Sequence, residues 1–475
     1  MKINYLILPA VSLFAFGAGA KEKETVLKPN AKPNIVFILA DDMGYHELGC
    51  FGGKVINTPN IDRLAKQGID FTNFYCGSNL CAPSRCSLMT GKHTGHATIR
   101  DNKPLPFEGN EPIKAEEITV AELLKSAGYV TGAFGKWGLG YPGSEGAPTR
   151  QGFDQFYGYN CQRHAHDYFT TYMRQNDDSV TIYENIARPY TVYSPVTIKN
   201  EALKFIEKNK KKPFFLYFAP TLPHGPYHQP DDSLLAYYGN KTGLAKGIAH
   251  DEDFSVPKYA AMTTRLDMEV GEIVAKLKEF NLLDNTLIVF ASDNGTALSP
   301  ENDSYLHTGG LLHGRKSEVY EGGIKSPFVA YWKGKIKPGT KSDHISAFWD
   351  FLPTCAEIAQ VEKPENADGI SFLPTLLGQV KNQKEHEYLY WERNQCQAIR
   401  RGEMKAVFRY ENATKEPNVE IYNLEKDPFE KSDLAASMPQ LKNEFLNLAK
   451  TAHVESTIFP FFKKEKKNNK QEIKE

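Results

Sequence analysis

The stretch Asn34-Ile35-Val36-Phe37-Ile38-Leu39-Ala40 runs directly into Asp41-Asp42. Its apolar residues fall on both faces, as in a strand covered on both sides within a largely parallel sheet. Two adjacent carboxylates at the C-terminal end of such a strand are costly without a cation, and ligands of open α/β sheets collect at that edge. Similar apolar runs occupy residues 129–134, 214–218, 286–291 and 327–331. Amphipathic segments separate them: 115–127, closed by Gly128; 199–208, shortly before Pro213; and 257–280, the longest. The alternation predicts an α/β fold with a large, mostly parallel sheet sandwiched by helices.

After about Gly378 the pattern changes. Residues 381–387 are charged, and 388–391, 397–400, 405–410 and 419–422 read as short strands joined by turns such as Arg401-Gly402. They predict a small C-terminal antiparallel sheet, followed by a helix near 439–449. The expected divisions are 1–20, a main α/β domain over 21–380, a C-terminal subdomain over 381–462, and 463–475. The last segment holds six Lys and three Glu with almost nothing apolar, the composition of a frayed tail. The first combines Lys2, an apolar run over 5–16 and Ala18-Gly19-Ala20, the parts of an export signal cut after Ala20. The periplasm is the expected destination, with secretion the alternative. No later run is long enough for a membrane anchor, so stable membrane insertion is not expected.

Composition narrows the classes further. Hydrophobic residues make up 41% and charged residues 24%, ordinary for a globular protein with a large core. Lys and Arg number 57 against 58 Asp and Glu, a net charge of −1, which argues against a general nucleic-acid binder. Seven cysteines are an odd number, sparse for 475 residues, so disulfides are not expected to hold the fold.

A second apolar run, 286–291, ends in Ser292-Asp293-Asn294-Gly295. Alone, that tetrapeptide reads as a turn. Together, the two strand ends deliver Asp41, Asp42, Asp293 and Asn294 to one edge. All four offer oxygen, which favours a hard cation, calcium or magnesium, over zinc. Elsewhere, Cys81-Ala82-Pro83-Ser84-Arg85 leads into Cys86-Ser87-Leu88-Met89-Thr90-Gly91. By itself Cys81 is either an activated thiolate, with Arg85 one turn later on the same face, or a buried structural cysteine.

This cysteine motif, with Thr90-Gly91 behind it, strongly resembles the signature of the type I, formylglycine-dependent sulfatases of the alkaline-phosphatase-like superfamily. Other motifs stand in that family's order. Asp41-Asp42-Met43-Gly44 and Ser292-Asp293-Asn294-Gly295 resemble its metal pairs. Gly135-Lys136-Trp137-Gly138-Leu139-Gly140 resembles its lysine motif, and Pro223-His224-Gly225-Pro226 its histidine motif. His313-Gly314-Arg315-Lys316 with Glu321-Gly322-Gly323 resembles its second lysine motif. Asp368-Gly369-Ile370-Ser371 and the segment from Tyr422 to Pro428 match later landmarks. The resemblance spans roughly residues 33 to 450.

The resemblance implies a sulfuric ester hydrolase with one calcium ion. Cys81 is then the precursor of a formylglycine made by a maturing enzyme, and joins Asp41, Asp42, Asp293 and Asn294 at the metal. Arg85 would hold that arrangement. Lys136 and Lys316 would bind sulfate oxygens, and His224 would be the general acid, with Lys316 assisting. One hydroxyl of the hydrated aldehyde attacks sulfur and the other later expels sulfate. Two positions depart from the family: Gly138 stands where a His usually assists the second step, and Lys325 where Arg is common.

The segment Cys161-Gln162-Arg163-His164-Ala165-His166 follows the family landmark Gln151-Gly152-Phe153-Asp154. It reads either as an exposed loop or as sugar contacts through Arg163, His164 and, above all, His166. His166 is also a candidate replacement for the imidazole missing at Gly138. Arg100 and Asn102 lie where the family often contacts substrate. The expected substrate is a sulfated carbohydrate, with a terminal galactose or N-acetylgalactosamine 4- or 6-O-sulfate favoured. The alternatives are a phosphate or phosphonate ester hydrolase on the same fold, and a non-catalytic sulfated-glycan binder with unconverted Cys81.

Overall fold

Strand β1 (Asn34–Ala40) is buried at every position. In the computed structural model the described residues are 32–106, 108–244, 255–299, 302, 305–306, 312–413 and 415–462. The export segment and the charged tail expected from the sequence lie outside them. Side chains of β1 alternate between two cores: Ile35, Phe37 and Leu39 enter one, and Val36, Ile38 and Ala40 the other. Helices Cys81–Thr90, Val120–Ser126 and Phe351–Ala359 contribute to the first core. Helices Pro59–Gln67, Ser194–Asn209 and Val256–Glu279 contribute to the second. A strand between two helical layers has no wet face, so both sets of alternating side chains are apolar.

Nine further strands join β1 in the large sheet: β2 (Ile69–Phe71), β3 (Val130–Lys136), β4 (Gln155–Tyr159), β5 (Tyr172–Gln175), β6 (Asp178–Thr181), β7 (Phe214–Ala219), β8 (Thr286–Ser292), β9 (Phe328–Tyr331) and β10 (Thr340–Ser342). Their order is β10-β2-β9-β8-β1-β7-β3-β4-β5-β6. The central five, β8 to β4, run parallel. The flanks are mixed: β9 is antiparallel to both β8 and β2, and β5 and β6 form an antiparallel hairpin beside β4. Period-2 patterning assigns faces and carries no direction, so the run at 327–331 did not reveal that β9 is reversed.

The helix expected from 115 starts at Val120. Thr119 Oγ1 accepts from the Glu122 N–H at 3.2 Å, and Glu122 Oε2 accepts from the Thr119 N–H at 2.9 Å. This reciprocal cap fixes the first turn there.

The C-terminal strands β11 (Leu389–Arg393), β12 (Cys396–Arg401), β13 (Met404–Arg409) and β14 (Asn418–Asn423) form an antiparallel meander. Tyr390, Ile399, Phe408 and Ile421 pack with Phe445 and Ala449 of the helix Pro439–Ala452. Leu389, Trp391, Ala398 and Val407 belong instead to the first main core. The small sheet is thus buried on two sides, and from Lys32 onward the chain clusters as one compact unit. All seven cysteines are unpaired. Among the described residues no helix is long and apolar enough to cross a membrane.

Candidate active site

The strand order assembles the site. β8, β1, β7 and β3 are consecutive parallel neighbours, so their C-terminal ends face the same edge. β1 delivers Asp41 and Asp42, β8 delivers Asp293 and Asn294, β3 ends on Lys136, and the loop after β7 carries His224. Backbone bonds stitch the ends together: the Asp293 N–H donates to Ala40 O and the Asp41 N–H to Leu222 O, both at 3.0 Å. Lys316 arrives from outside the sheet, its N–H bonded to Thr296 O at 2.9 Å. The glycines of this second lysine motif allow a close backbone approach: a Cβ on Gly295 would lie 1.8 Å from Gly322 O.

Asp41, Asp42 and Asp293 are all essentially inaccessible to solvent. Lys136 Nζ donates to Asp41 Oδ2 at 2.7 Å, and Lys316 Nζ to Asp42 Oδ2 at 2.7 Å. Arg85 Nε and Nη2 reach Asp293 Oδ2 at 3.0 and 2.7 Å, while Nη1 donates to Lys136 O at 2.7 Å. Three carboxylates therefore face three cations. Although burial opposes ionisation, Lys136 and its cationic neighbours hold Asp41 far below the ordinary carboxylate range. Burial and the adjacent Asp41 push Asp293 up to about 7.

Two acceptors in this cluster, Asp41 Oδ1 and Asn294 Oδ1, are buried without a hydrogen-bond partner. Orphaned oxygens beside a carboxyl of raised proton affinity fit an all-oxygen hard-cation site. Asp41, Asp42, Asp293 and Asn294 are the residues that would hold such an ion. It would leave the cluster with a surplus of positive charge, suited to an anionic ester.

Cys81 opens the helix Cys81–Thr90. Leu80, at the cap position, has no side-chain acceptor. Asn102, from a distant loop, supplies one: its Oδ1 accepts from the Ala82 N–H at 3.1 Å, and its Nδ2 lies 3.6 Å from Cys81 Sγ. Donor atoms of Cys81, Asp41 and Asp293 all fall within 4.8 Å of one another.

On the opposite side, Lys316 Nζ lies 3.0 Å from His224 Nε2. An ammonium only donates, so Nε2 is the acceptor and Nδ1 carries the hydrogen that bonds Gly225 O. Burial brings His224 down to about 3. The proton in this pair resides on Lys316, whose affinity the adjacent Asp42 raises despite burial.

A sequence profile of the family described as Sulfatase matches residues 33–361. The chain belongs to the sulfatase family. As a member of it, the protein is a sulfuric ester hydrolase. A second profile, N-sulphoglucosamine sulphohydrolase, C-terminal, matches residues 313–452. Human N-acetylgalactosamine-6-sulfatase is 32% identical, covering 79% of this chain and 71% of its own. Human arylsulfatase A is 30% identical, covering 93% and 90%. Among solved structures, Ps i-CgsB superposes with a TM-score of 0.74 at 30% identity, covering 88% of this chain and 92% of its own, and is also solved in complex with k-i-k-neocarrahexaose.

The residues expected to read substrate in this sulfatase divide. His166 stacks on His224, ring centroids 4.6 Å apart and planes at 19°. Burial and the Lys136 cation bring it down to about 4. Arg163 is exposed one helical step away. His164 turns inward: its Nε2 meets Thr170 Oγ1 at 2.8 Å and its ring stacks on Tyr172 at 4.2 Å, so it supports the loop. Arg100 is also internal, donating to Glu392 Oε1 at 2.8 Å, Ala97 O at 3.0 Å and Val454 O. Its guanidinium is spent on protein, not held out for a ligand. Lys325 is half-buried, its Nζ 4.8 Å from the Tyr45 ring centre.

The side-chain volume missing at Gly138 is taken by Gln162. A Cβ on Gly138, whose φ is +82°, would lie 2.3 Å from Gln162 Nε2. Both amide atoms of Gln162 are buried without a hydrogen-bond partner. Two site residues escaped sequence reasoning altogether. Tyr168 is fully buried and donates toward Thr221 O at 2.7 Å and His224 O at 2.5 Å, fixing the histidine loop. Tyr217 lies 3.5 Å from Arg85 Nη1. In sequence both look like core aromatics; only their hydroxyl partners mark them.

Proposed function

We propose that this chain is an exported, calcium-dependent sulfatase that hydrolyses sulfate esters of carbohydrates, using a formylglycine generated from Cys81 by a maturing enzyme. The observation that carries the reading is the convergence of Cys81, three buried carboxylates and three cations on one sheet edge, with two carboxamide and carboxylate oxygens left unpaired. Calcium would supply charge neutralisation, and the hydrated aldehyde at position 81 would supply one hydroxyl to attack sulfur and another to expel sulfate.

The remaining work falls to this chain's own side chains. Lys136 and Lys316 neutralise sulfate oxygens as charge moves toward the leaving oxygen. Lys316 holds the proton of its 3.0 Å pair with His224 and delivers it to the departing alkoxide, with His224 Nε2 orienting the ammonium. Tyr168 holds the His224 backbone, and Arg85 holds Asp293. Because these groups are fixed by bonds to buried partners, little reorganisation accompanies the reaction.

The favoured substrate is a terminal galactose or N-acetylgalactosamine carrying a 4- or 6-O-sulfate. Support comes from the names of similar proteins, including an N-acetylgalactosamine-6-sulfatase. The proposed compartment is the periplasm, with secretion the alternative, on the composition of residues 1–20. The test is sulfate release by matured enzyme from a panel of defined monosaccharide sulfates, alongside matched phosphate esters. The expected result is release from one galactose-type sulfate, with Cys81→Ala inactive though folded. Preferential phosphate release, or full activity of Cys81→Ala, overturns the reading.

A further inference from the structure

Beside the nucleophile helix lies a cavity of about 230 Å³ that the mechanism does not use. One wall is the loop Arg100 to Lys103, and the other comes from the C-terminal part of the chain: the tip of the β11–β12 hairpin and the segment Ile458 to Phe461. Asn102 belongs both to this wall and to the reacting centre, since its amide also touches Cys81 Sγ and caps Ala82.

The walls are held rigidly. Arg100 bonds Glu392, and Glu392 Oε2 in turn accepts from Tyr390 at 2.6 Å and faces His453 Nδ1 at 2.6 Å. Phe461 is buried edge-on against Tyr410, ring centroids 5.5 Å apart. Asn394 and Gln395 both adopt positive φ, the geometry of a two-residue hairpin turn, which carries Asn394 to the cavity rim.

The charge pattern selects the ligand. The cations of the lining are each matched to a carboxylate: Arg100 to Glu392, Arg393 to Asp101 at 2.8 Å, and Lys103 to Glu111 at 2.8 Å. A wall so neutralised has no surplus of positive charge to recruit an anion, whereas a divalent ion held by Asp41, Asp42, Asp293 and Asn294 would leave such a surplus at the sheet edge. What it offers is a half-buried aromatic ring, Phe459, with hydrogen-bonding groups of Asp101, Asn102 and Asn394 around it. The exposed Lys103 side chain now lies over that ring, its Nζ 5.6 Å from the ring centre, and a ligand would take the ring over from it. A flat apolar face rimmed by polar groups matches a neutral sugar ring, with C–H bonds on one face and hydroxyls at its edge.

We propose that this cavity is a carbohydrate subsite, in which an uncharged hexose ring of the sulfated glycan rests on Phe459 with its hydroxyls bonded to Asp101, Asn102 and Asn394. The proposal rests on the carbohydrate sulfatase reading and adds where the sugar is read. The sulfate and the sugar are then recognised by opposite chemistries on either side of Asn102.

Saturation-transfer NMR with the methyl glycosides of galactose and N-acetylgalactosamine tests it without requiring turnover. The wild-type protein should transfer saturation to ring protons, Phe459→Ala should lose the signal, and Phe459→Trp should keep it. Lys316→Ala should also keep it while releasing no sulfate, which separates sugar binding from the sulfatase reaction. For turnover, Phe459→Ala should raise KM for a galactose-type sulfate about tenfold, the order expected for losing one aromatic contact, with kcat within about twofold. Absence of transfer from wild type, or an undiminished signal in Phe459→Ala, overturns the subsite. If the subsite holds but no sulfate ester is cleaved, the carbohydrate sulfatase reading fails by itself.

Discussion

Two buried charge clusters in this molecule contain nearly the same ingredients and are used differently. At the sheet edge, Asp41, Asp42 and Asp293 face Arg85, Lys136 and Lys316. Behind the second lysine motif, Lys405 lies between Glu321 at 3.0 Å and Glu430 at 2.8 Å. Each contains a carboxyl pushed up to about 7: Asp293 by burial and Asp41, Glu430 by burial and Glu321. The Lys405 cluster is shut off, with no side-chain exposure on the lysine, and it ties the Glu321 loop to the C-terminal sheet. The sheet-edge cluster opens outward through Lys316, whose side chain keeps 17% exposure, and it retains unpaired oxygens. Burial and proton affinity alone do not separate a working site from a structural one; access and unspent ligand atoms do.

The sharpest way to break this contrast is Asp293→Ala. Activity should fall at least about 100-fold, as for loss of a charge-stabilising group, and calcium should no longer raise the melting temperature as it does for a ligand that binds only the folded state. If calcium still stabilises the variant and activity persists, the sheet-edge cluster is structural too.

Lys405→Met probes the other side. Stranding two buried carboxyls should cost about 3–5 kcal/mol in denaturant unfolding. Calcium affinity of the folded variant should stay within about twofold of wild type. A calcium affinity that falls together with stability would show that the clusters are coupled.

A pH series sharpens the comparison further. Glu430 in the folded chain holds its proton to about 7, against an ordinary 4.5. The folded state then binds more protons than the unfolded state between these values, so this group's contribution to stability is full below 4.5 and is lost as pH rises through 7. The effect is at most about 3 kcal/mol. Glu430→Gln removes the titration, and its unfolding free energy should vary less over that window. An unchanged slope refutes the assignment.

The smallest effect is expected at Gly138. Restoring the family imidazole by Gly138→His should cost about 1–2 kcal/mol of stability from the positive φ alone, with a further clash against Gln162. Gly138→His with Gln162→Ala should recover part of the clash but not the backbone cost. Full stability of the single variant would mean that the two positions do not share the space.

Much of the site was legible because a parallel sheet turns linear spacing into proximity. Apolar runs ending in Asp41-Asp42 and Ser292-Asp293-Asn294 place their last residues on one edge whatever the loops do, and β1 and β8 pair directly. The capping pair Thr119 and Glu122 is likewise local, readable from neighbouring residues even though the expected helix began too early. Arg100 could not be read this way. Its partner Glu392 is 292 residues distant, and a cation beside a signature motif looks the same whether it faces substrate or protein. His164 and His166, two residues apart, turn to different partners, Tyr172 and His224, because a short 3-10 turn separates their directions.

The sequence by itself determined the sandwiched sheet, the oxygen-bearing side chains gathered at its edge and the cysteine that opens the helix Cys81–Thr90. These follow from side-chain periodicity and from chemistry carried by adjacent residues. Tertiary structure alone decided the reversal of β9, the filling of Gly138's empty volume by Gln162, and the cavity closed by Phe459. Those depend on which distant surfaces meet, and close packing chooses such partners by shape and by the need to pair buried polar groups, neither of which leaves a period in the chain.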